Sequence, residues 1–127
     1  MTGHTLRVLD VGQCSFDHGN IAGVVKSDFD ADVDQARSAD EAFESVCDGV
    51  YDLVLVNRIL DADGGSGLDL IKRLKGDERT RAVPVMLVSN YRDAQESAVQ
   101  AGAVAGFGKS ELGSKEVKDR LASVLCR

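Results

Sequence analysis

Polar residues stand at the ends of four apolar segments in this sequence. Gly12 and Gln13 follow the first segment, Asn57 ends the next, Ser89 follows a third, and Lys109 comes just after the last. An ammonium group, a hydroxyl and side-chain amides can hold an anion through hydrogen bonds. None of the five residues is a carboxylate, and an amide is a poor nucleophile because it cannot carry the negative charge that attacks phosphorus. No nucleophile with a base and an orienting group can be assembled from them, so we expect no enzymatic activity.

Five short segments have the composition of β-strands, and segments of helical periodicity lie between them. Continuous apolar runs at 5–11, 52–57 and 83–88 are typical of buried parallel strands, whereas 31–36 is a weaker edge candidate and 104–107 a short last strand. The helical segments are 16–27, 39–48, 66–76, 90–101 and 114 to the end. The alternation predicts an α/β fold, a five-stranded doubly wound parallel sheet with helices on both faces. In such sheets, ligands bind at the carboxyl ends of the strands.

Capping residues define the starts of three helices. Ser38 is followed by Glu41 at capping-box spacing, and Ser66 with Asp69 repeats the Ser-x-x-acid pattern. Asn90 is a suitable residue to cap the fourth helix.

Composition limits the class of protein and of partner. A chain of 127 residues with 43% hydrophobic content predicts a single domain over 1–127. The net charge of −6 disfavours nucleic acid and anionic membrane surfaces, so a protein or a small ligand is the expected partner. Three cysteines without a C-x-x-C pair suggest reduced thiols and no zinc site. With neither a spanning apolar run nor a signal sequence at the start, we expect a cytoplasmic protein.

Four sequence blocks fall in the order and spacing of the signature blocks of bacterial response-regulator receivers. They are VLDVGQ, DLVLVNRIL, VPVMLVS and AGAVAGFGKS, with ARSADEA at 36–42 between the first two. Over nearly the whole chain the sequence therefore resembles a receiver of the chemotaxis-regulator type. The resemblance implies a flavodoxin-like (βα)5 fold and a role in two-component phosphorelay signalling.

The residues that a receiver uses for phosphorylation are replaced in this sequence. In the family, an acidic pair after the first strand holds magnesium and an aspartate after the third strand accepts the phosphoryl group. Gly12 and Gln13 stand at the position of the acidic pair, and Asn57 stands at that of the acceptor. Amide and carbonyl oxygens carry no charge for magnesium, so we expect weak or absent binding, no cofactor and no aspartyl phosphorylation.

Three other receiver positions are retained. The resemblance gives Ser89 the role of the hydroxyl that bonds the phosphate, Lys109 that of the lysine that pairs with it, and Phe107 that of the switch aromatic. Without an acceptor carboxylate, Lys109 is free to pair with Asp61 or Asp63 of the lengthened 61–67 loop. Alternatively, Lys109, Ser89 and Asn57 hold a preformed anion.

These observations favour a degenerate pseudo-receiver that stands alone and acts by phosphorylation-independent protein–protein interaction. The expected binding face is formed by the fourth helix, the fifth strand and the fifth helix, in a monomer or weak homodimer. The alternative is a sensor of a small anion or nucleotide, with a pocket around Asn57, Ser89 and Lys109.

Some polar residues near the strand ends leave open questions. The sequence does not decide whether Asp10, Asp61 or Asp63 compensates for the missing carboxylates, and Asp10 has no clear role within an apolar strand. We expect His18 to be solvated and Cys14 to serve in packing.

Overall fold

The apolar segments form a single sheet in the computed structural model, which describes residues 5–125. The strands are β1 (Leu6–Val11), β2 (Ala31–Ala36), β3 (Leu53–Asn57), β4 (Val85–Val88) and β5 (Val104–Phe107). Their order in the sheet is β2-β1-β3-β4-β5, and every pair is parallel. The helices are α1 (Ser15–Asp28), α2 (Ala39–Asp48), α3 (Gly67–Gly76), α4 (Arg92–Gln100) and α5 (Lys115–Leu125). The prediction of a five-stranded, doubly wound α/β fold is confirmed.

Side-chain alternation along the central strands builds two apolar layers, one on each face of the sheet. Leu9, Val54 and Leu87 point into one layer, which is completed by α2, α3 and part of α4. Val8 and Leu55 point into the other, which is completed by α1 and α5. Because β1, β3 and β4 are covered on both faces, their residues are mostly apolar and buried, as continuous apolar runs predict. The polar exceptions are Arg7, Asp10 and Asn57.

Two of the three predicted helix caps are present. Ser38 Oγ accepts a hydrogen bond from the Glu41 amide at 3.1 Å, and Ser66 Oγ accepts one from the Asp69 amide at 3.2 Å. The prediction for Asn90 is wrong, since α4 begins at Arg92 and its N-cap residue makes no side-chain capping bond. The side chain of Asn90 bonds to the chain segment after β5 instead.

Within the described residues, no helix combines the length and the apolarity needed to span a bilayer.

Candidate functional site

The carboxyl ends of the strands meet at one edge of the sheet, where the structure brings together Asn57, Ser89 and Lys109 from the residues singled out in the sequence. A cavity of about 390 Å³ opens there. Its walls are formed by Asn57, Arg58, Ile59, Val88, Ser89, Asn90, Tyr91 and Lys109. We call it the strand-end pocket. Gln13 is not among its lining residues.

The side chain of Asn57 is engaged by the backbone around it. Its Nδ2 donates to the carbonyl of Gly12 at 3.2 Å and to that of Ile59 at 2.8 Å. Its Oδ1 accepts from the amide of Arg58 at 3.1 Å. The amide therefore connects the end of β1 to the loop after β3, with its NH₂ group directed at two carbonyl oxygens. A carboxylate could not make these two bonds, because it has no hydrogen to donate.

Gly12 occupies a position that excludes a side chain. Its φ is +79°, a conformation that residues other than glycine rarely adopt. A Cβ atom built there would lie 2.3 Å from Cδ2 of Leu60, whose side chain is buried. An acidic residue at this position would thus require both a strained backbone and movement of Leu60.

Gln13 is directed into the protein rather than into the pocket. It is 4% exposed, and neither atom of its side-chain amide has a hydrogen-bond partner. Together with Gly12 and the engaged amide of Asn57, it provides no anionic oxygen at the strand ends, so these residues do not fit a magnesium ion. Among residues 5–125, no group of three His, Cys, Asp or Glu side chains is arranged to hold a metal ion.

Lys109 pairs with Asp17, which the sequence reading did not identify. Its Nζ lies 2.7 Å from Asp17 Oδ2 in the first turn of α1, and this bond lowers the pKa of the Asp17 carboxyl. The expectation of a pair with Asp61 or Asp63 is wrong. The loop that carries them folds on itself, with Asp63 Oδ1 accepting from the amide of Gly65 at 2.9 Å. The sequence gave little indication of this role for Asp17. Acidic residues are common in the first turn of a helix because they interact favourably with the helix dipole.

Ser89 and Asn90 bond to neighbouring backbone and loop groups. Ser89 Oγ accepts from the amide of Tyr91 at 3.1 Å, which is local turn chemistry at the start of α4. Asn90 Oδ1 accepts from both the amide and the hydroxyl of Ser110, at 3.2 and 2.9 Å. Gly108 permits this contact, since a Cβ there would lie 2.0 Å from Asn90 Oδ1. The loops after β4 and β5 are therefore joined across the pocket.

Phe107 is buried in the layer between the sheet and α5, with 1% of its surface exposed. Next to it, the pairing of β4 with β5 is irregular, and Gln95 of α4 fills the gap in the ladder. Gln95 Nε2 donates to the carbonyls of Leu87 and Ser89 at 2.8 and 3.1 Å, and its Oε1 accepts from the amide of Gly106 at 3.2 Å. The sequence analysis did not identify Gln95. A glutamine on an amphipathic helix gives no indication that its side chain bonds to the backbone of two neighbouring strands.

Asp10, which is buried, pairs with the partly exposed His18. Its carboxyl is completely buried, and Oδ2 lies 2.7 Å from Nδ1 of His18. Burial raises the pKa of Asp10 to about 6, against the opposing effects of His18, Gln13 and Lys109. Oδ1 has no partner. The prediction of a solvated His18 is wrong. The imidazole of His18 on α1 bonds to Asp10 on β1, a contact between two elements that the sequence alone does not indicate.

Cys14 stands at the start of α1, where its Sγ accepts from the amide of Asp17 at 3.5 Å. The expectation that this residue serves only in packing thus misses its role as the N-cap.

A groove of about 830 Å³ lies over α4, β5 and the middle of α5. Large apolar side chains are exposed on and beside it: Tyr91 at 59%, Val99 at 47% and Val104 at 38%. The guanidinium of Arg58 lies 4.8 Å from the centre of the Tyr91 ring. Arg120 contributes a cation to the groove and donates to the carbonyl of Gly106 at 2.6 Å. We call this the α4–β5–α5 face.

No protein-family model matches the chain, and no curated protein matches its sequence. Solved structures do match. A protein assigned as a response regulator from Chloroflexus aurantiacus J-10-fl has a TM-score of 0.85 and 21% identity, over 98% of this chain and 100% of that one. The signal receiver domain of a DNA-binding response regulator from Colwellia psychrerythraea 34H has a TM-score of 0.80 and 18% identity, over 96% and 99%.

A response regulator from Burkholderia pseudomallei, solved with a phosphorylated aspartic acid, a calcium ion and citrate, is also similar. Its TM-score is 0.72 and its identity 21%, over 94% of this chain and 66% of that one. Similarity at this level of identity concerns the fold. The chain has the flavodoxin-like fold of response-regulator receiver domains.

Proposed function

We propose that this chain is a degenerate receiver of two-component signalling that works without phosphorylation, by binding a protein partner through its α4–β5–α5 face. It needs no metal or other cofactor and catalyses no reaction. The receiver fold supports the signalling context. The internal bonding of the strand-end pocket supports the absence of phosphoryl transfer.

The observation that carries the proposal is that the two polar side chains central to the pocket, those of Asn57 and Lys109, have internal partners. Asn57 bonds to the carbonyls of Gly12 and Ile59, and Lys109 bonds to Asp17. In the Burkholderia pseudomallei protein a phosphorylated aspartic acid and a calcium ion are present. In this protein the residue at the end of β3 is Asn57, whose NH₂ group donates two hydrogen bonds. A phosphorylated carboxylate has no hydrogen with which to donate them. We infer that these internal bonds take the place of the contacts that a phosphate would make.

The binding face is supported by its exposed apolar residues. Tyr91, Val99 and Val104 lie outside both apolar layers, and a large apolar side chain in water gains free energy when a partner covers it. The bonds of Gln95 hold α4 against β4 and β5, so the face is presented in one arrangement. A rigid surface loses less entropy on binding than a mobile one.

The alternative of an anion or nucleotide sensor has less support. It depended on a Lys109 without an anionic partner, whereas the ammonium group lies 2.7 Å from Asp17. An anion entering the pocket would have to displace that carboxylate. Thermal stabilisation by a panel of phosphates and nucleotides is the observation that would favour the sensor.

The test of phosphorylation independence uses acetyl phosphate or beryllofluoride with magnesium. Intact-mass spectrometry should find no added phosphoryl group, and the melting temperature should not change, because a ligand that binds only the folded state must stabilise it. A covalent adduct with a clear thermal shift would refute the proposal.

The binding face is tested by charge substitution. A protein partner is first isolated by its binding to the immobilised wild-type protein. Val99→Asp and Val104→Asp should each abolish binding of that purified partner, as measured by calorimetry. Val50→Asp serves as the control, since Val50 is also exposed but lies between α2 and β3. Equal binding by all three variants would exclude this face.

A further inference from the structure

A second cavity opens beside the strand-end pocket, between the loop after β3 and the first turns of α3 and α4. Its volume is about 460 Å³, which is within the range of small-molecule sites. Apolar side chains line it, among them Ile59, Leu68 and Leu87. Leu87 is buried, whereas Ile59 is 43% exposed. We call this cavity the α3–α4 groove.

Backbone bonds fix the wall of the groove that the loop after β3 forms. Ile59 pairs with Ser66 in an isolated antiparallel bridge, and the amide of Gly67 donates to the carbonyl of Arg58 at 2.8 Å. A Cβ atom at position 67 would lie 2.0 Å from the carbonyl oxygen of Asn57, so this close approach requires a glycine. The loop is therefore held in one arrangement, and a ligand would meet a preformed wall.

The guanidinium group of Arg58 is the cation that this groove offers to a ligand. It lies 4.8 Å from the centre of the ring of Tyr91, which also lines the groove and is 59% exposed. In the part of the chain that the structure describes, no carboxylate forms an ion pair with Arg58, whereas Lys109 pairs with Asp17. A guanidinium group can bind a carboxylate through two parallel hydrogen bonds. An anion at Arg58 would displace no internal partner.

Two hydroxyl groups and one acid on the groove limit the chemistry of the ligand. Ser66 Oγ accepts from the amide of Asp69 at 3.2 Å, so its hydrogen remains available to donate, and Ser97 contributes a second hydroxyl. Asp93 also lines the groove, where its Oδ1 accepts from the amide of Ala94 at 3.0 Å. Its negative charge disfavours a second anionic group on the ligand. The groove therefore suits a single carboxylate attached to an apolar body.

We propose that the α3–α4 groove binds a small aromatic monocarboxylate. The carboxylate pairs with Arg58, and the ring packs on Tyr91 and on the apolar lining. Tyr91 lines the α4–β5–α5 face as well, so a bound ligand changes the aromatic surface that a protein partner meets. This last consequence rests on the proposed function. The binding itself does not, and its test includes neither a phosphoryl donor nor a protein partner, so the two failures are distinguishable.

The experiment is a titration with phenylacetate at neutral pH, followed by the backbone amide signals in ¹H–¹⁵N NMR spectra. Saturable shifts should centre on groove residues such as Ile59, Leu68 and Ala94, with a dissociation constant in the millimolar range or tighter. Phenylacetamide has the same shape without the charge and should bind at least about tenfold more weakly, because it loses the charged hydrogen bonds. Acetate, which lacks the ring, should bind more weakly as well.

Three variants assign the binding to the groove. Arg58→Gln should weaken phenylacetate binding at least about tenfold and leave the melting temperature unchanged, since the side chain is exposed. Arg37→Gln is the matched control, because Arg37 is an exposed arginine just after β2 that does not line the groove, and it should bind like wild type. Tyr91→Ala should weaken binding of phenylacetate more than binding of acetate, because acetate has no ring to pack.

Several results would overturn the proposal. These are the absence of saturable shifts with phenylacetate, equal binding of phenylacetamide, and undiminished binding by Arg58→Gln. Shifts that centre on Ser89 and Lys109 would overturn it too, because they would place the ligand in the strand-end pocket.

Discussion

Replacing Asn57 by aspartate, the residue that the proposed receiver correspondence implies there, should destabilise this protein. The substitution removes the NH₂ group that donates to the carbonyls of Gly12 and Ile59 and puts a carboxylate oxygen against them. Each lost hydrogen bond costs about 0.5–1.5 kcal/mol. Because the side chain is half-buried, we expect a total loss of about 1–3 kcal/mol at pH 7, and a melting temperature lower by roughly 4–12 °C.

The loss should depend on pH in a defined direction. Two facing carbonyl oxygens disfavour the charged form, so the pKa of the new carboxyl is raised in the folded state. A protonated carboxyl can donate one of the two bonds. The variant should therefore approach wild-type stability in acid and lose stability as pH rises through the raised pKa. Urea denaturation of both proteins at pH 4, 5, 6 and 7 measures this, with the exposed Asn20→Asp as control.

The same variant tests whether one substitution restores phosphorylation. With Gly12 and Gln13 unchanged, no second anionic oxygen is available for magnesium, so Asn57→Asp should gain little stability from the metal and no mass from acetyl phosphate. Equal stability of Asn57→Asp and wild type at pH 7 would refute the reasoning about the amide. Efficient phosphorylation of the variant would refute the reasoning about the metal.

Three further outcomes are expected. Phe107→Ala should reduce the free energy of unfolding by about 3–5 kcal/mol in urea titrations, because a completely buried ring leaves a cavity. Gln95→Ala should cost about 2 kcal/mol or more and speed hydrogen exchange at the amide of Gly106, whereas the exposed Gln100→Ala should change neither. In the wild-type protein, Asp10 contributes stability that is complete below pH 3.8 and is lost as pH rises through about 6, a difference of about 3 kcal/mol that Asp10→Asn should remove from the pH profile.

The sequence predicted the fold because the fold depends on patterns within single segments. The apolar runs become the central strands, and the Ser38 and Ser66 caps depend on residues only three positions away. The strand ends also predicted that Asn57, Ser89 and Lys109 would meet, since parallel strands place their carboxyl ends at one edge, but Gln13 lies outside that pocket.

The partners of those residues could not be predicted in the same way. Lys109 and Asp17 are 92 positions apart, and their contact depends on how α1 packs against the turn after β5. Asp10 and His18 are close in the chain, but their pairing requires β1 and α1 to be in their final positions. Asparagine is a residue type common at helix caps. In the folded protein, however, the Asn90 side chain accepts two hydrogen bonds from Ser110 of the neighbouring loop. Local preference is overruled where a tertiary contact provides more bonds.

The proposed replacement of phosphorylation residues is coupled to the packing around Gly12 and Asn57, and this argues against a pocket that has only lost its function. Gly12 has no room for a side chain, because Leu60 occupies the space and the backbone has a positive φ. The carbonyl of Gly12 accepts from both Asn57 and the amide of Asp61, so the loop after β3 is built on the glycine. Restoring an acid at position 12 would displace Leu60 and break this loop, whatever residue stands at position 57. A route back to phosphorylation therefore requires several simultaneous changes, which is the expected result if the internal bonds have themselves become the functional state.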